Sequence, residues 1–243
     1  MKFNRFEYES VVDGLKDWYL FHDAGAGTDC VVILHGHGSH GDQLLIRPDL
    51  APWLASLDRF GVSVVSPNLR DNAWMSPAAV SDLSRLLEEG KTRHRWRRIV
   101  FASGSMGGTG ALIFAVRCPD LADALVILGA ATDIGRYCNW CAGQTKPVLK
   151  EIHDAIRSVY EGEDYPLHNV CVHAASLTMP VWLYHGGADR TIPVSEARAL
   201  AGILAGKEDF HYHEIAGGNH DSPLSFFQQG LEEFFTSPGE RSK

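Results

Sequence analysis

The sequence predicts an α/β protein built on a doubly wound, mostly parallel sheet. Two observations lead to this prediction. Continuous apolar, β-branched runs, which are typical of strands buried on both faces, recur along the chain. Segments with apolar residues at three- and four-residue spacing separate these runs, as expected of helices that alternate with parallel strands.

The elements are expected in the following order. An alternating segment at 3–11, the turn Asp13-Gly14 and a short run at 18–21 predict an N-terminal antiparallel hairpin. Buried strands are expected at 31–34, 62–65, 99–102, 124–128, 181–184 and 210–215. Helices are expected at 50–60, 77–89, 106–117, 194–205 and 224–235.

The chain shows neither repeats nor a Pro- or Ser-rich linker, so residues 1–243 are predicted to form one domain. The segment at about 132–178 fits neither the helical nor the strand period and is too long for a simple connection. It is expected to be a small inserted lid over the C-terminal edge of the sheet.

Composition excludes several classes of protein. Hydrophobic residues make up 45% and charged residues 21% of the chain, with a net charge of −8, which argues against disorder and against a nucleic-acid partner. A basic cluster at 91–98 is interpreted as a solvated helix end. The longest apolar run, at about 124–131, is far short of the roughly 20 residues that span a bilayer, so no membrane partner is expected.

The N-terminus and the cysteines predict the compartment. Charged residues from Lys2 to Asp13 leave no room for the apolar core of a signal peptide. The five cysteines are odd in number and widely scattered, unlike a disulfide framework. We therefore expect a cytoplasmic, reduced protein, whose oligomeric state the sequence does not indicate.

Ser105 is the predicted nucleophile. The string Ser103-Gly104-Ser105-Met106-Gly107-Gly108 follows a strand and opens a helix, which is the context that a G-x-S-x-G nucleophile elbow requires. A side chain at the apex of so tight a turn needs very small neighbours two residues away on each side. Ser103 stands where the first glycine usually does. A glycine-rich turn that only caps a helix, or that holds a phosphate, is the alternative.

The loop after the first central strand, His35-Gly36-His37-Gly38-Ser39-His40, predicts an oxyanion hole. The backbone N–H of Met106, together with that of His37 or Gly38, would hold the developing negative charge, and His37 is preferred. The three histidines also resemble the H-x-H-x-D-H zinc signature of metallo-β-lactamase-fold hydrolases, with Ser39 in place of its aspartate. That metal site is disfavoured because the string supplies only part of a ligand set.

Asp189 and His220 are the predicted acid and base. Each lies in a loop directly after a buried strand, and open α/β sheets place their sites at this edge. A serine hydroxyl needs a base to accept its proton, and the base needs a carboxylate to orient it. The order Ser105, Asp189, His220 along the chain satisfies both needs.

These motifs resemble those of the α/β-hydrolase superfamily over about residues 3–235. The matching strings are HGHGS at 35–39, SGSMGG at 103–108, HGGADRTIP at 185–193 and GGNHDSP at 217–223. The likeness is greatest to compact esterases and to the dienelactone-hydrolase and prolyl-oligopeptidase-like groups. It implies the α/β-hydrolase fold, a covalent acyl-enzyme and no cofactor, and Asp133 is its second candidate for the acid.

The resemblance implies a serine carboxylesterase that acts on a small-molecule ester. A serine peptidase or amidase is the first alternative, although the chain has no room for the propeller of the oligopeptidases. A non-catalytic binding protein on the same fold is the second alternative.

Two further groups of residues leave interpretations open. Cys138 and Cys141 have the spacing of a zinc-binding pair or a redox pair, but packed free thiols are the default. Four aromatic residues expected in loops could line a substrate pocket or only pack within the lid: Trp74, Tyr137, Trp140 and Tyr165.

Overall fold

The computed structural model describes residues 1–236, which form an eight-stranded sheet in the order β1-β2-β4-β3-β5-β6-β7-β8. The strands are β1 (Asn4–Glu9), β2 (Lys16–His22), β3 (Cys30–Val32), β4 (Ser63–Pro67), β5 (Ile99–Gly104), β6 (Ala124–Leu128), β7 (Val181–Gly186) and β8 (Phe210–Ile215). The first two strands form an antiparallel hairpin, and β2 pairs antiparallel with β4. The strands from β4 to β8 along the sheet are all parallel. The predicted fold class is confirmed.

The α-helices cover both faces of the sheet. They are α1 (Gln43–Ile46), α2 (Ala51–Phe60), α3 (Pro77–His94), α4 (Met106–Arg117), α5 (Ile134–Ala142), α6 (Pro147–Val159), α7 (Asp164–Leu167), α8 (Val194–Leu204) and α9 (Phe227–Thr236). Apolar side chains of α2 and α9 form one core with one face of the sheet. Those of α3, α4, α5, α6 and α8 form a second core on the other face.

Helix α4 follows the nucleophile strand and lies deep in the molecule. Its residues from Met106 to Val116 are all buried. Their composition explains this position, because a helix that is apolar or small on every side can only be buried. The core therefore surrounds helix α4, which follows Ser105 directly.

Some boundaries differ from those that the sequence predicts. Strand β3 ends at Val32, because Leu34 donates its N–H to a serine side chain of β5 instead of continuing the ladder. Helix α3 continues past the predicted end at 89 to His94, and Gly90 lets the Trp96 ring lie against the helix. The last helix begins at Phe227, because a 3₁₀ turn occupies Ser222–Phe226.

The segment at 132–178 is more regular than predicted. It contains α5, α6, α7 and a 3₁₀ turn at Ala174–Ser176. The expectation that it follows no period was wrong for α6, where Leu149, Ile152 and Ile156 are buried at three- and four-residue spacing. Polar residues on the outer side of α6 obscured this narrow stripe.

Residues 132–178 lie at the C-terminal edge of the sheet. The hydroxyl of Tyr137 donates to the carbonyl of Thr191, in the loop after β7. The hydroxyl of Tyr160 contacts the carbonyl oxygens of Trp74 and Met75, in the loop after β4. Across residues 1–236, every helix is too short or too polar to cross a membrane.

Candidate active site

Ser105 occupies a strained turn between β5 and α4. Its backbone has φ 56° and ψ −127°, a conformation that non-glycine residues seldom adopt and that costs on the order of 1–3 kcal/mol. The Ser105 N–H donates to the carbonyl of Leu128 at 3.0 Å and ties the turn to β6. A Cβ on Gly107 would lie 2.1 Å from the carbonyl oxygen of Leu34, so this position admits only glycine. The strand, turn and helix therefore present Ser105 as the sequence predicts.

The hydroxyl of Ser103 makes a hydrogen bond, in addition to being small enough for the turn. Its side chain is buried, and Oγ accepts the N–H of Leu34 at 2.9 Å. Leu34 opens the loop that contains His37. The serine that replaces the usual glycine thus connects the nucleophile strand to the neighbouring loop, a role that smallness alone does not predict.

His220 bridges Ser105 and Asp189. Its Nδ1 lies 2.7 Å from Asp189 Oδ2, and its Nε2 lies 2.9 Å from Ser105 Oγ. Because a carboxylate only accepts hydrogen bonds, Nδ1 carries the proton and Nε2 is free to accept from the serine hydroxyl. The three residues come from loops after β5, β7 and β8, and the structure brings them together.

Asp189 is completely buried and accepts several hydrogen bonds. Oδ1 accepts the N–H groups of Thr191 and Ile192 at 2.7 and 3.0 Å. Oδ2 lies 3.4 Å from Nε2 of His185, in addition to its contact with His220. Burial by itself raises the pKa of a carboxyl, but the hydrogen bonds from His185 and His220 hold the pKa of Asp189 well below its usual value. The carboxylate is therefore ionised at neutral pH.

The backbone N–H groups of Gly36, His37 and Gly38, in the loop after β3, differ in their hydrogen-bond partners. The N–H of Gly36 donates to Gln43 Oε1 at 3.1 Å, and that of Gly38 donates to Asn72 Oδ1 at 2.8 Å. Within residues 1–236, the N–H groups of His37 and Met106 have no acceptor. This arrangement distinguishes His37 from Gly38, between which the sequence left the choice open.

Comparisons with known proteins identify the fold. The family described as serine aminopeptidase, S33, matches residues 66–170, which include Ser105. The solved structure of FphF, a fluorophosphonate-binding serine hydrolase of Staphylococcus aureus, superposes with a TM-score of 0.73 at 14% identity and covers 96% of both chains. The chain therefore has the α/β-hydrolase fold.

Two further proteins resemble this chain. The esterase Pf2001 of Pyrococcus furiosus has a TM-score of 0.71 at 16% identity, over 96% of this chain and 89% of that one. Protein ABHD8 of Mus musculus is 26% identical over an alignment of 224 residues that covers 74% of this chain and 49% of the relative. The chain thus spans about half the length of the curated relatives that it matches.

A cavity of about 150 Å³ opens beside Ser105 and His220. Its other lining residues come from the loop after β3, α1, the segment between α1 and α2, α2 itself, the ends of β5 and β6, and the loop and 3₁₀ turn after β8. They are Gly36, His37, Gln43, Arg47, Leu50, Trp53, Gly104, Leu128, Asp221 and Leu224. The sequence analysis missed Trp53 and Leu224, because residues so far apart in the chain share no motif. None of the lining residues belongs to 132–178.

The four aromatic residues considered for a pocket do not line this cavity. Trp74 and Tyr137 are fully buried in the core. Tyr137 and Trp140 lie in α5, and Tyr165 lies in α7, so three of the four are in helices and not in loops as expected. Trp74 approaches the site indirectly, since its indole N–H donates to His37 Nδ1 at 3.3 Å.

The three histidines in the loop after β3 make different contacts. Both ring nitrogens of buried His35 lie within hydrogen-bond distance of backbone carbonyl oxygens, those of Gly36 and Asn68. His40 is exposed and contacts Asp71. His37 Nδ1 accepts from Trp74, and burial lowers the pKa of this imidazole. No cluster of three or more His, Cys, Asp or Glu residues suited to a metal occurs within 1–236.

The remaining candidates lie apart from this site. Asp133 is the N-cap residue of α5, and its carboxylate accepts the N–H of Arg136. Cys138 and Cys141 are buried, and Cys138 Sγ lies 3.5 Å from Nδ1 of His153. Burial raises the pKa of the Cys141 thiol to about 11. Burial also raises the pKa of the Cys138 thiol.

A larger cavity, of about 400 Å³, lies between the N-terminal hairpin and α3. Its lining contains no serine, cysteine or threonine that could act as a nucleophile. The hydrogen-bonded groups around Ser105, and not the volume, therefore identify the candidate site of this protein.

Proposed function

We propose that the protein is a serine carboxylesterase that cleaves small-molecule esters through an acyl-enzyme. The observation that carries this proposal is the hydrogen-bond chain from Ser105 through His220 to Asp189, next to two backbone N–H groups without acceptors. The esterase and serine hydrolase folds reported above support it.

Ser105 is the proposed nucleophile and His220 the proposed base. Ser105 Oγ attacks the acyl carbon while His220 Nε2 takes the hydroxyl proton, and the carbonyl electron pair moves onto the oxygen. The ionised Asp189 holds the Nδ1–H tautomer and stabilises the imidazolium that forms. His220 then gives the proton to the alcohol oxygen as the C–O bond breaks.

Water completes the reaction. His220 takes a proton from water as the water oxygen attacks the acyl-enzyme, and it returns the proton to Ser105 Oγ when the acid leaves. In both halves of the reaction, the N–H groups of His37 and Met106 are proposed to hold the oxyanion. Loss of one such donor costs on the order of 10²–10³ in rate.

A peptidase is the second candidate. The matching family is described as a serine aminopeptidase. In addition, the Asp221 carboxylate lines the cavity, where it could pair with the amino group of a peptide N-terminus. Rates on aminoacyl amides and on short acyl esters would separate the two activities.

The proposed setting is a reducing cytoplasm, without a nucleic-acid or membrane partner. All five cysteines are free, as a reducing compartment would maintain them. In the basic cluster, Arg97 and Arg98 pair with the buried carboxylate of Asp29, which reduces the positive charge offered to a polyanion.

The decisive experiment is the Ser105→Ala variant. We expect it to lose hydrolysis of p-nitrophenyl acetate and labelling by a fluorophosphonate probe, with an unchanged circular dichroism spectrum. Ser158→Ala, which removes an exposed hydroxyl of α6, is the matched control and should keep both. Labelling that persists in Ser105→Ala would refute the assignment. A wild-type protein that neither hydrolyses esters or amides nor takes the label would be a binding protein.

A further inference from the structure

The cavity beside Ser105 is small. Its volume of about 150 Å³ is half or less of the roughly 300–1,000 Å³ usual for ligand pockets. A substrate group that occupies this cavity must therefore be short.

Trp53 forms a fixed wall of this cavity. Its ring stacks on Phe227 with centroids 4.0 Å apart and an interplanar angle of 5°. Its indole N–H donates to the carbonyl of Leu224 at 3.1 Å, and only 4% of the residue is exposed. Because packing on one side and a hydrogen bond on the other hold the ring, Trp53 cannot swing aside for a longer group without losing both contacts.

Leu224 closes the cavity near the nucleophile. A Cβ built on Gly104, the residue before Ser105, would lie 3.0 Å from Leu224 Cδ2. The isobutyl group of Leu224 therefore lies against the turn that presents Ser105 Oγ. Leu224 and Trp53 both line the cavity, so a chain that extends into it from the acyl carbon would meet both residues.

We propose that this cavity is the acyl pocket and that Trp53 and Leu224 restrict the enzyme to short acyl groups. This inference rests on the proposed esterase function. The acyl group is assigned to the cavity beside Ser105 because it stays bound to Ser105 until water arrives, whereas the alcohol leaves first and needs an open path.

The test is a series of p-nitrophenyl esters from acetyl to dodecanoyl. For the wild-type enzyme, kcat/KM is expected to fall at least 10-fold between butanoyl and octanoyl esters, because the additional methylenes cannot enter the cavity. A second series, with a constant acetyl group and alcohols of increasing length, is expected to change kcat/KM less than 10-fold.

Two variants enlarge the pocket from different sides. Leu224→Ala and Trp53→Ala are each expected to raise kcat/KM for the octanoyl ester relative to the acetyl ester at least 10-fold. Leu45→Ala is the matched control, since Leu45 is an exposed residue of α1 that does not line the cavity. It should leave the chain-length profile unchanged. If Trp53→Ala fails to fold, Leu224→Ala carries the test alone, because Leu224 lies in a short turn at the surface and is only partly buried.

Each result decides between proposals. An active wild-type enzyme that hydrolyses octanoyl and acetyl esters equally well refutes the short acyl pocket but leaves the esterase function intact. The same conclusion follows if the length limit tracks the alcohol, or if folded Leu224→Ala keeps the wild-type profile. If no ester is hydrolysed and Ser105 is not labelled, the proposed function fails, and the acyl pocket fails with it.

Discussion

Substitution of Ser103 by alanine tests how the nucleophile strand is coupled to the loop after β3. In the native protein, Ser103 Oγ accepts the N–H of Leu34 at 2.9 Å, and both residues are buried. Alanine keeps the small size that the turn needs but removes the acceptor. The Leu34 N–H is then left in the core, where water cannot reach it.

The size of the effect follows from this burial. A buried donor that loses its partner costs about 1–3 kcal/mol of unfolding free energy. For a chain of this length, each kcal/mol lowers Tm by about 2–4 °C, so Ser103→Ala is expected to lower Tm by about 2–12 °C. We also expect the loop to shift, because Leu34 lies three residues before His37.

Activity and stability should therefore both be measured. If His37 supplies an oxyanion donor, its displacement should lower kcat for p-nitrophenyl acetate by about 10-fold or more, since complete loss of one donor costs on the order of 10²–10³. Ser103→Gly should resemble Ser103→Ala, because it also lacks the hydroxyl. Ser158→Ala, on the outside of α6, should change neither Tm nor kcat. If Ser103→Ala matches the wild type in both Tm and kcat, the hydroxyl has no coupling role.

Two further substitutions test the acid and the inserted segment. Asp189→Asn is expected to lower kcat by about 10⁴-fold with little change in KM, because an amide does not hold the Nδ1–H tautomer of His220. As the pH falls from 5 to 2, the free energy of unfolding of the same variant, measured in urea, should decrease less than that of the wild type. Since folding lowers the pKa of Asp189, its stabilising contribution is present above its unfolded pKa of about 3.9 and is lost as pH falls toward the lower folded value. Glu196→Ala is expected to cost about 2–4 kcal/mol in urea unfolding, because the buried carboxylate accepts the N–H groups of Thr132 and Asp133 and pairs with Arg136. The exposed control Glu208→Ala should cost less than about 0.5 kcal/mol, and an equal loss in the two variants would contradict this account.

The strand-turn-helix around Ser105 could be predicted because its constraints are local. The strained apex at Ser105 and the close approach of Gly107 to Leu34 both follow from residues within a few positions of each other. The positions of Asp189 and His220 could be predicted because parallel strands bring the loops at their carboxyl ends to one edge. In each case, backbone geometry determines where the side chain lies.

The cavity and the inserted segment could not be predicted in the same way. Trp53 and Leu224 are 171 residues apart, and only the packing of α2 against the 3₁₀ turn after β8 places them together. The burial of Leu149, Ile152 and Ile156 positions α6, but two polar or charged residues follow each of these three and make the pattern hard to recognise. Tertiary contacts, and not local preference, determine both features.

The inserted segment reaches the candidate site through Trp74. Trp74 and Met75 have φ values of 46° and 55°, which are unfavourable for bulky residues, and the Tyr160 hydroxyl bonds to both of their carbonyl oxygens. Tyr160 follows α6 and is itself buried, so the inserted segment stabilises the strained turn. This strained turn directs the indole N–H of Trp74 at His37 Nδ1. No residue of this segment lines the cavity. We therefore expect the segment to influence the site through the position of His37 and not through contact with the acyl group.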